Sequence, residues 1–398
     1  MPVGTPFHDR TFPLCESLNY RDWAGYYAPS SYEPLHEHEY NAIRNGAALL
    51  DVSPLFKYIV RGRDAAALID RVITRRATTL EPGQVIYTAW CDEQGKVLDD
   101  GTVSRLAEDR FRWTAAEPNL RWISRQATGL DVCVEDVSEQ VAALALQGPT
   151  SAGLLRSVAD ADIDGLRYFR VITGRLAGRV VEISRTGYTG DLGYEIWMQR
   201  DDAGVIWDAL AAAGPAFGLR PTGLLALDVA RIEAGLLLID VDFFSARKAL
   251  TASQLYSPFE MGLDRLVDLD KPFIGRDALV AEHVNGPARR IVGLQVDWED
   301  VEARYEAVGL PPLAQATASR VPVPVFSGIH QVGRMTSSTW SPTLKQMIGL
   351  ATVDSTWAAL GARLEVEHTV DVVRHRVGAT VVATPFFRPS RKTLTPPA

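Results

Sequence analysis

Two adjacent aspartates in the segment VLDDG, Asp99 and Asp100, are the residues of this sequence best suited to acid–base chemistry. A carboxylate beside an amine nucleophile can orient that amine, stabilise the cation formed when it attacks, and accept its proton. Paired aspartates are also a common turn and cap signal, so composition alone favours a structural role. In a strand their side chains point to opposite faces, so only one of them can enter a given site.

The glycine-rich stretch SRTGYTGDLGYE, residues 184–195, is the second candidate site. Its spacing is GxxGxxG, whereas a dinucleotide fingerprint needs GxGxxG directly between a strand and a helix. RVVEIS before it and YEIWMQ after it both have strand patterns, and no GK[ST] follows, so we predict a hairpin and not a phosphate cradle. Glu195 could accept two parallel N–H bonds from a flat heterocycle while the ring of Tyr188 packs on its face.

Metal ligands and reactive cysteines are not indicated. His36 and His38 in HEHE would face different directions on a helix, and no third ligand is evident, so we expect no metal site. Cys15, Cys91 and Cys133 are far apart and form no CxxC pair, which is typical of a reducing compartment. We expect them to be buried small apolar residues.

Helical and strand patterns alternate through the first two thirds of the chain, including the helical segment TGLLALDVARIEAG and an antiparallel sheet pattern between residues 81 and 116. After residue 288 short strand runs dominate, which predicts a small β-barrel or sandwich. The tail RPSRKTLTPPA is predicted to be disordered. We therefore divide the chain into residues 1–285, a β-rich domain at 286–388 and a tail at 389–398.

Composition excludes several classes of protein. The 398 residues carry 41 Lys plus Arg against 49 Asp plus Glu, so the net charge of -8 offers no basic field for nucleic acid or an anionic membrane. The most apolar stretch, LLALDVARIEAGLLLID, carries Asp228, Arg231 and Glu233 in its interior and predicts no membrane span. The N-terminus lacks the pattern of a secretory signal, so we expect a cytoplasmic protein.

The segment RTGYTGDLGYEIW closely resembles the signature of the aminomethyltransferase family, which comprises the tetrahydrofolate-using T-protein of the glycine cleavage system and related demethylases. The resemblance implies an α+β fold of three lobes arranged as a cloverleaf around a central folate site. Residues 1–285 would form two interleaved lobes that bind folate, and the third lobe would be β-rich. Six further segments occur in the family's order: LLDVS, GQVIYTAWCDEQGKVLDDGTV, ALALQGPTS, LDVARIEAGL, DKPFIGRDAL and MTSSTWSPTLKQMIGLATV.

The resemblance also implies the roles of individual residues. It places the catalytic Asp100 beside N5 of tetrahydrofolate, and Glu195 at the 2-amino and N3 edge of the pterin, where charged hydrogen bonds contribute about 1.5–3 kcal/mol each. Tyr87 and Tyr188 would line the folate pocket, and Arg231 would lie near the folate and the one-carbon donor. For each residue an ordinary structural role is the alternative, such as an i,i+3 pair between the arginine and the preceding aspartate of its helix.

The sequence departs from the family pattern on the donor side. Pro54 stands where T-proteins usually have a histidine, TAAEPNLRW replaces an asparagine-containing segment, and the link after the arginine helix is longer and more aromatic. Aromatic rings near the entrance could enclose a flat or methylated small substrate, although core packing is the alternative for any one of them. The predicted substrate-contacting residues are Tyr27, Trp90, Glu117, Phe243 and Tyr256.

Because the folate-binding residues are retained and the donor side differs, we favour a tetrahydrofolate-dependent demethylase or methylene transferase acting on a small-molecule donor. The carbon would come from an O, N or S atom of that donor. The first alternative is the glycine cleavage T-protein itself, whose partner would be the lipoyl arm of the H-protein. The second is a folate-binding regulatory protein without turnover, against which the presence of Asp100 argues.

Overall fold

The computed structural model describes residues 1–394, whose strands build a hairpin, two open sheets and a barrel. The strands of this described part are β1 (Asn19–Trp23), β2 (Tyr26–Ser31), β3 (Ala47–Asp51), β4 (Phe56–Arg61), β5 (Val85–Cys91), β6 (Val97–Ala107), β7 (Arg110–Ala115), β8 (Cys133–Asp136), β9 (Val141–Gln147), β10 (Ala159–Asp160), β11 (Val171–Leu176), β12 (Arg179–Ser184), β13 (Gly193–Gln199), β14 (Leu219–Pro221), β15 (Arg289–Val296), β16 (Val323–Ser327), β17 (His330–Ser341), β18 (Gln346–Asp354), β19 (Arg363–Val370) and β20 (Val373–Val382).

Helices cover the two open sheets and part of the barrel. Those of residues 1–394 are α1 (His8–Thr11), α2 (Glu37–Asn45), α3 (Ala65–Val72), α4 (Leu120–Gln126), α5 (Ser151–Val158), α6 (Ala203–Ala213), α7 (Leu224–Glu233), α8 (Arg276–Asn285) and α9 (Trp298–Glu306). No helix within the described chain has both the length and the apolar character needed to cross a bilayer.

The two open sheets are interleaved in sequence. One has seven strands in the order β10-β11-β12-β13-β9-β3-β14, and the other has five in the order β5-β6-β7-β4-β8. The chain leaves the first sheet after β3, builds the whole of the second sheet, and returns at β9.

The strand β9 shows why the seven-stranded sheet forms. Its sequence, VAALALQ, is almost continuously apolar because helices cover both faces of the sheet. Leu144 and Leu146 pack in the cluster that contains residues of α5 and α6, whereas Ala143 and Ala145 pack with residues of α2 and α7. Helix α7 is thereby fixed against the centre of the sheet.

The third lobe is a closed barrel of six strands in the order β15-β18-β17-β16-β19-β20. Its first strand begins at Arg289, close to the change of pattern at residue 288. Alternate residues such as Leu294, Val325 and Val377 fill its interior. The β-rich C-terminal lobe predicted from the sequence is thus a barrel and not a sandwich.

Two expectations from composition differ in part from the structure. Ser390–Lys392 form a turn of 3-10 helix, and Arg391 makes two hydrogen bonds to Asp191, at 2.6 and 2.9 Å, so the first part of the tail is held by a buried carboxylate. Residues 395–398, the end of the predicted disordered tail, lie outside the described residues. Cys15 and Cys91 are buried as expected, but Cys133 is exposed on the edge strand β8.

Helix α7 carries three buried charged side chains that join it to the other lobes. Glu233, which is fully buried, accepts hydrogen bonds from Arg44 of α2 at 2.6 and 2.9 Å, from Tyr40 at 2.6 Å and from Ser341 of the barrel at 2.5 Å. Asp228 accepts from Arg320 at 2.8 Å. A buried charge of this kind is stable only when it is paired and fully hydrogen-bonded.

We predict that Glu233→Ala lowers the free energy of unfolding by about 3–5 kcal/mol, because it leaves a buried guanidinium without its main partner. Chemical denaturation followed by tryptophan fluorescence measures the change. Asp208→Ala is the matched control, since Asp208 pairs with Arg10 on the surface and its loss should barely move the midpoint. Equal effects of the two substitutions would contradict the role given to the buried pair.

Candidate active site

Asp100 and Tyr87 meet across the β5–β6 hairpin. Asp100 pairs with Ala89 in the register, which places Tyr87 diagonally across on the same face of the sheet. The hydroxyl of Tyr87 donates a hydrogen bond of 2.5 Å to Oδ2 of Asp100. Burial raises the pKa of Asp100 to about 6, and the hydrogen bond from Tyr87 limits that rise. Asp100 therefore titrates near neutrality, as suits a group that exchanges protons at physiological pH.

Asp99 points to the opposite face of β6, as predicted from strand geometry. It is fully buried and accepts hydrogen bonds from the backbone N–H groups of Asp100 and Glu117 and from the side chain of Asn119, at 2.8–2.9 Å. Burial, and secondarily the charge of Asp100, raises the pKa of Asp99 well above its usual value. Its partners tie β6 to the loop before α4, so Asp99 has a structural role.

Tyr188 lies near the same carboxylate. It is half-buried, and its hydroxyl donates to the backbone carbonyl of Leu237 in the segment that follows α7. Burial raises the pKa of Tyr188, the positive charge of Arg231 opposes that rise, and the negative charge of Asp100 adds to it. Tyr188 thus joins the glycine-rich stretch to the segment after α7, within electrostatic reach of Asp100 and Arg231.

The glycine-rich stretch is a hairpin connection between β12 and β13, which pair antiparallel. Its glycines do not make room for a ligand. A Cβ atom at Gly187 or Gly193 would collide with the side chain of Gln147, and one at Gly190, whose φ is +72°, would collide with Ala234 of the chain just after α7. At these three positions glycine is thus required by close packing within the protein.

Glu195 lies on β13, half-buried, at the end of this stretch. Its Oε2 accepts a 2.5 Å hydrogen bond from the hydroxyl of Thr186, whereas Oε1 accepts none from the described residues. Burial raises the pKa of Glu195, while Thr186 and the positive charge of Arg112 oppose the rise. One oxygen is thus held by the protein and the other is left for a donor from outside.

Arg231 differs from its prediction. The side chain is fully buried and donates to Asp242 at 2.5 Å and to Ser337 of β17 at 2.8 Å, while the pair with Asp228, at 3.5 Å, is longer. A guanidinium with no exposure and these partners is not available to the glutamate tail of folate. It joins α7 to the following segment and to the barrel, and it lies close enough to Tyr188 to affect the pKa of that residue.

The predicted aromatic enclosure for the donor does not form. Trp90, Phe243 and Tyr256 are fully buried in apolar clusters, because the long segment after α7 folds down between β5–β6 and the barrel. Tyr27 is exposed in the β1–β2 hairpin, where its ring neighbours His8. The alternative role, core packing, holds for three of these four rings.

Glu117, the fifth predicted substrate contact, is placed on the side of β6 that carries Asp99. Its backbone N–H donates to Asp99, and its side chain forms an ion pair of 2.8 Å with Lys248. It therefore helps to fix the segment after α7 and is not directed at Asp100.

Sequence reasoning missed two charged residues at this junction. Asp242 accepts from Arg231, from the backbone of Leu238 and from the hydroxyls of Thr336 and Ser337, at 2.5–2.9 Å. Arg112 of β7 pairs with Glu182 of β12 and so connects the two open sheets. A charged residue flanked by apolar ones, as in FRW at 111–113 and VDF at 241–243, is the sequence signal that could have identified them.

Fold and site together define a class: three lobes packed around a tyrosine-bound carboxylate, with a closed barrel at the C-terminal end. The model of the GCVT N-terminal domain family matches residues 18–271, and that of the glycine cleavage T-protein C-terminal barrel domain matches residues 289–388. The chain is 35% identical over 374 residues to the aminomethyltransferase of Bacillus pumilus, covering 92% of this chain and 94% of the relative. The chain belongs to the aminomethyltransferase family.

Two further comparisons bear on fold and on substrate. The glycine cleavage system aminomethyltransferase T of Bartonella henselae superposes with a TM-score of 0.83 at 23% identity, covering 98% of this chain and 99% of that one, and confirms the fold. The trimethylamine-oxide aldolase of Ruegeria pomeroyi is 36% identical over 408 residues, covering 98% of this chain but 48% of that longer protein.

We predict that Tyr87→Phe raises the pKa of the Asp100 carboxyl above about 6, because the hydrogen bond that stabilises its ionised form is lost. Carbon-detected NMR of aspartate carboxyl groups measures the titration, and Asp100→Asn identifies the signal. Tyr27→Phe removes an exposed hydroxyl and should leave the titration unchanged. A pKa that stays near 6 in Tyr87→Phe would contradict the assigned hydrogen bond.

Proposed function

We propose that the protein is an enzyme that moves a methyl or methylene carbon from a small-molecule donor to N5 of tetrahydrofolate. The observation that carries the proposal is the Asp100 carboxyl, held by Tyr87 and set to titrate near neutrality beside Tyr188. A pure binding protein has no need of such a group, whereas proton transfer from a reacting amine requires one.

The residues fit a pterin. Tetrahydrofolate presents two N–H donors on one edge of its ring, at the 2-amino group and N3, and supplies at N5 an amine that can accept a one-carbon unit. The free Oε1 of Glu195, with Oε2 fixed by Thr186, is a suitable acceptor for that edge. The half-buried rings of Tyr87 and Tyr188 add apolar surface for a flat heterocycle.

The role proposed for Asp100 depends on a carboxyl that can be either ionised or protonated near neutral pH. As a carboxylate it can accept a hydrogen bond from N5–H and hold the nitrogen lone pair toward the donor carbon. When the new N5–C bond forms, the bond between that carbon and the donor heteroatom breaks, and its electron pair leaves with the heteroatom. Asp100 then takes the proton lost from N5, and Tyr87 stabilises the carboxylate before that transfer.

Two observations favour a small donor: the segment after α7 covers part of the site, and one relative is named after a small methylated compound. In the segment after α7, the backbone carbonyl of Leu237 accepts a hydrogen bond from the hydroxyl of Tyr188. Buried Phe243 and Tyr256 anchor this segment, so that it covers the site on that side. The relative named trimethylamine-oxide aldolase carries the name of a small methylated amine compound. Both observations support a donor of that chemical class, with the carbon on an O, N or S atom.

A glycine cleavage T-protein is the second candidate. Relatives named aminomethyltransferase from Bacillus and other bacteria match 94% of their length at 33–36% identity, and a T-protein has the same fold. In that case the donor would be the aminomethyl-lipoyl arm of an H-protein. A regulatory folate-binding protein without turnover is the third candidate, and the proton-transfer geometry at Asp100 argues against it.

The three candidates are separated by one assay. The protein is incubated with tetrahydrofolate and, in turn, N-methyl glycines, methoxy-aromatics, sulfonium compounds or aminomethyl-lipoyl H-protein, and 5-methyl- and 5,10-methylene-tetrahydrofolate are quantified. We expect product with a small-molecule donor. Product from the lipoyl donor alone would identify a T-protein, and folate binding without product from any donor would identify a binding protein.

We predict that Asp100→Asn retains folate binding but lowers kcat by about 100-fold or more, because the proton acceptor is lost. In the parent protein kcat at saturating folate should fall as pH drops through about 6, since protonation removes the reactive carboxylate, and Asp100→Asn should lack this limb. Asp109→Asn, an exposed change in the turn between β6 and β7, is the control. Turnover of Asp100→Asn at the parent rate would remove Asp100 from the mechanism.

We predict that Glu195→Gln weakens folate binding by about 10–100-fold, because an amide replaces a charged acceptor at the pterin edge. Titration calorimetry with 5-formyltetrahydrofolate measures the affinity. Glu139→Gln serves for comparison, since it changes an exposed carboxylate outside this site. An unchanged dissociation constant in Glu195→Gln would overturn the pterin assignment.

A further inference from the structure

A chain of three hydrogen bonds leads to Glu195 from the interior of the protein. The indole N–H of Trp197 lies 3.1 Å from Oγ of Ser184, that hydroxyl lies 2.8 Å from Oγ1 of Thr186, and Thr186 donates to Oε2 of Glu195 at 2.5 Å. Trp197, Ser184 and Thr186 are at most 5% exposed. Solvent therefore does not compete for these bonds.

The hydrogen bonds of this series all donate in one direction, from Trp197 toward Glu195. An indole N–H can only donate, and an ionised carboxylate can only accept. With Trp197 donating to Ser184, the single hydrogen of each hydroxyl is directed onward, so that Ser184 donates to Thr186 and Thr186 to Glu195. Protonation of Glu195 at Oε2 would reverse the last two bonds and leave Ser184 with two donors and a distant acceptor, the carbonyl of Glu195 at 3.5 Å.

A counter-charge lies at the start of the chain. The guanidinium of Arg112 stacks 4.1 Å from the centre of the Trp197 ring and is almost fully buried. Its partner is Glu182, and its Nε and Nη2 make no hydrogen bond within the described part of the protein. Arg112 and Glu182 are the charged groups that face Glu195 from β7 and β12, whereas β9 places the uncharged Ala145 opposite it.

We propose that Trp197, Ser184 and Thr186 form a one-way hydrogen-bond chain that holds Glu195 as an oriented carboxylate and so controls the pH range in which the protein binds the pterin edge. This inference rests on the proposed function. Thr186 and Ser184 are positioning residues, because they act through Glu195 and not on the ligand. Arg112 supplies the positive charge that accompanies the buried carboxylate.

Thr186→Val tests the chain, because it removes the donor while keeping the shape of the side chain. Binding of 5-formyltetrahydrofolate is measured by calorimetry between pH 5.5 and 8.5 in the Asp100→Asn background, so that Asp100 does not titrate, and the formyl group prevents protonation of N5. Affinity should fall as pH drops through the pKa of Glu195. In Thr186→Val the fall should move to higher pH by about one unit, because the ionised form has lost a charged hydrogen bond.

Two related variants complete the test. Thr186→Ser restores the hydroxyl and should return the parent profile, and Ser184→Ala should shift the profile in the same direction as Thr186→Val by a smaller amount. If near-ultraviolet circular dichroism shows that Thr186→Val does not fold, the shift of the pH profile in Ser184→Ala tests the hydrogen-bond chain instead. An equal loss of affinity at every pH, or no change in the profile, would contradict the hydrogen-bond chain but not the proposed function. Absence of folate binding in every variant would contradict the proposed function and with it this inference.

Discussion

The buried charges of α7 are the constraint on which the rest of the structure depends. Asp228, Arg231 and Glu233 occupy one short helix packed against the centre of a sheet, where unpaired charges would not be tolerated. Each finds its partners on a different part of the chain: Arg320 in the connection between the barrel strands β15 and β16, Asp242 after α7, and Arg44 of α2. The lobes must therefore meet around α7, because only that arrangement satisfies all three charges.

The same constraint shapes the site. Arg231 holds Asp242, Asp242 binds the backbone N–H of Leu238, and the carbonyl of Leu237 next to it accepts from Tyr188. Tyr188 in turn lies within electrostatic reach of Asp100. Arg231 thus acts on Tyr188 through Asp242 and the segment after α7. A ligand that displaced Arg231 from Asp242 would have to break a pair that holds the covering segment in place.

Local patterns predicted what depends on local geometry. The strands on either side of the glycine-rich stretch, the opposite directions of Asp99 and Asp100 and the β-rich C-terminal lobe all follow from residue spacing. Pairings between residues far apart in sequence could not be predicted in this way. Arg112 and Glu182 form an ion pair although they are 70 residues apart in the sequence. No local pattern in either segment indicates the other as its partner. The burial of the aromatic residues after α7 could not be predicted for the same reason. These residues are covered by elements that are distant in sequence, and their arrangement cannot be derived from local patterns.

The central claim, that Asp100 and Glu195 bind opposite parts of one pterin, is tested most directly by a crystal structure with 5-formyltetrahydrofolate. We expect the 2-amino and N3 edge of the ring within hydrogen-bond distance of Oε1 of Glu195, the ring between Tyr87 and Tyr188, and N5 next to the carboxyl of Asp100. A pterin bound elsewhere, or one bound with its N5 turned away from Asp100, would contradict the account.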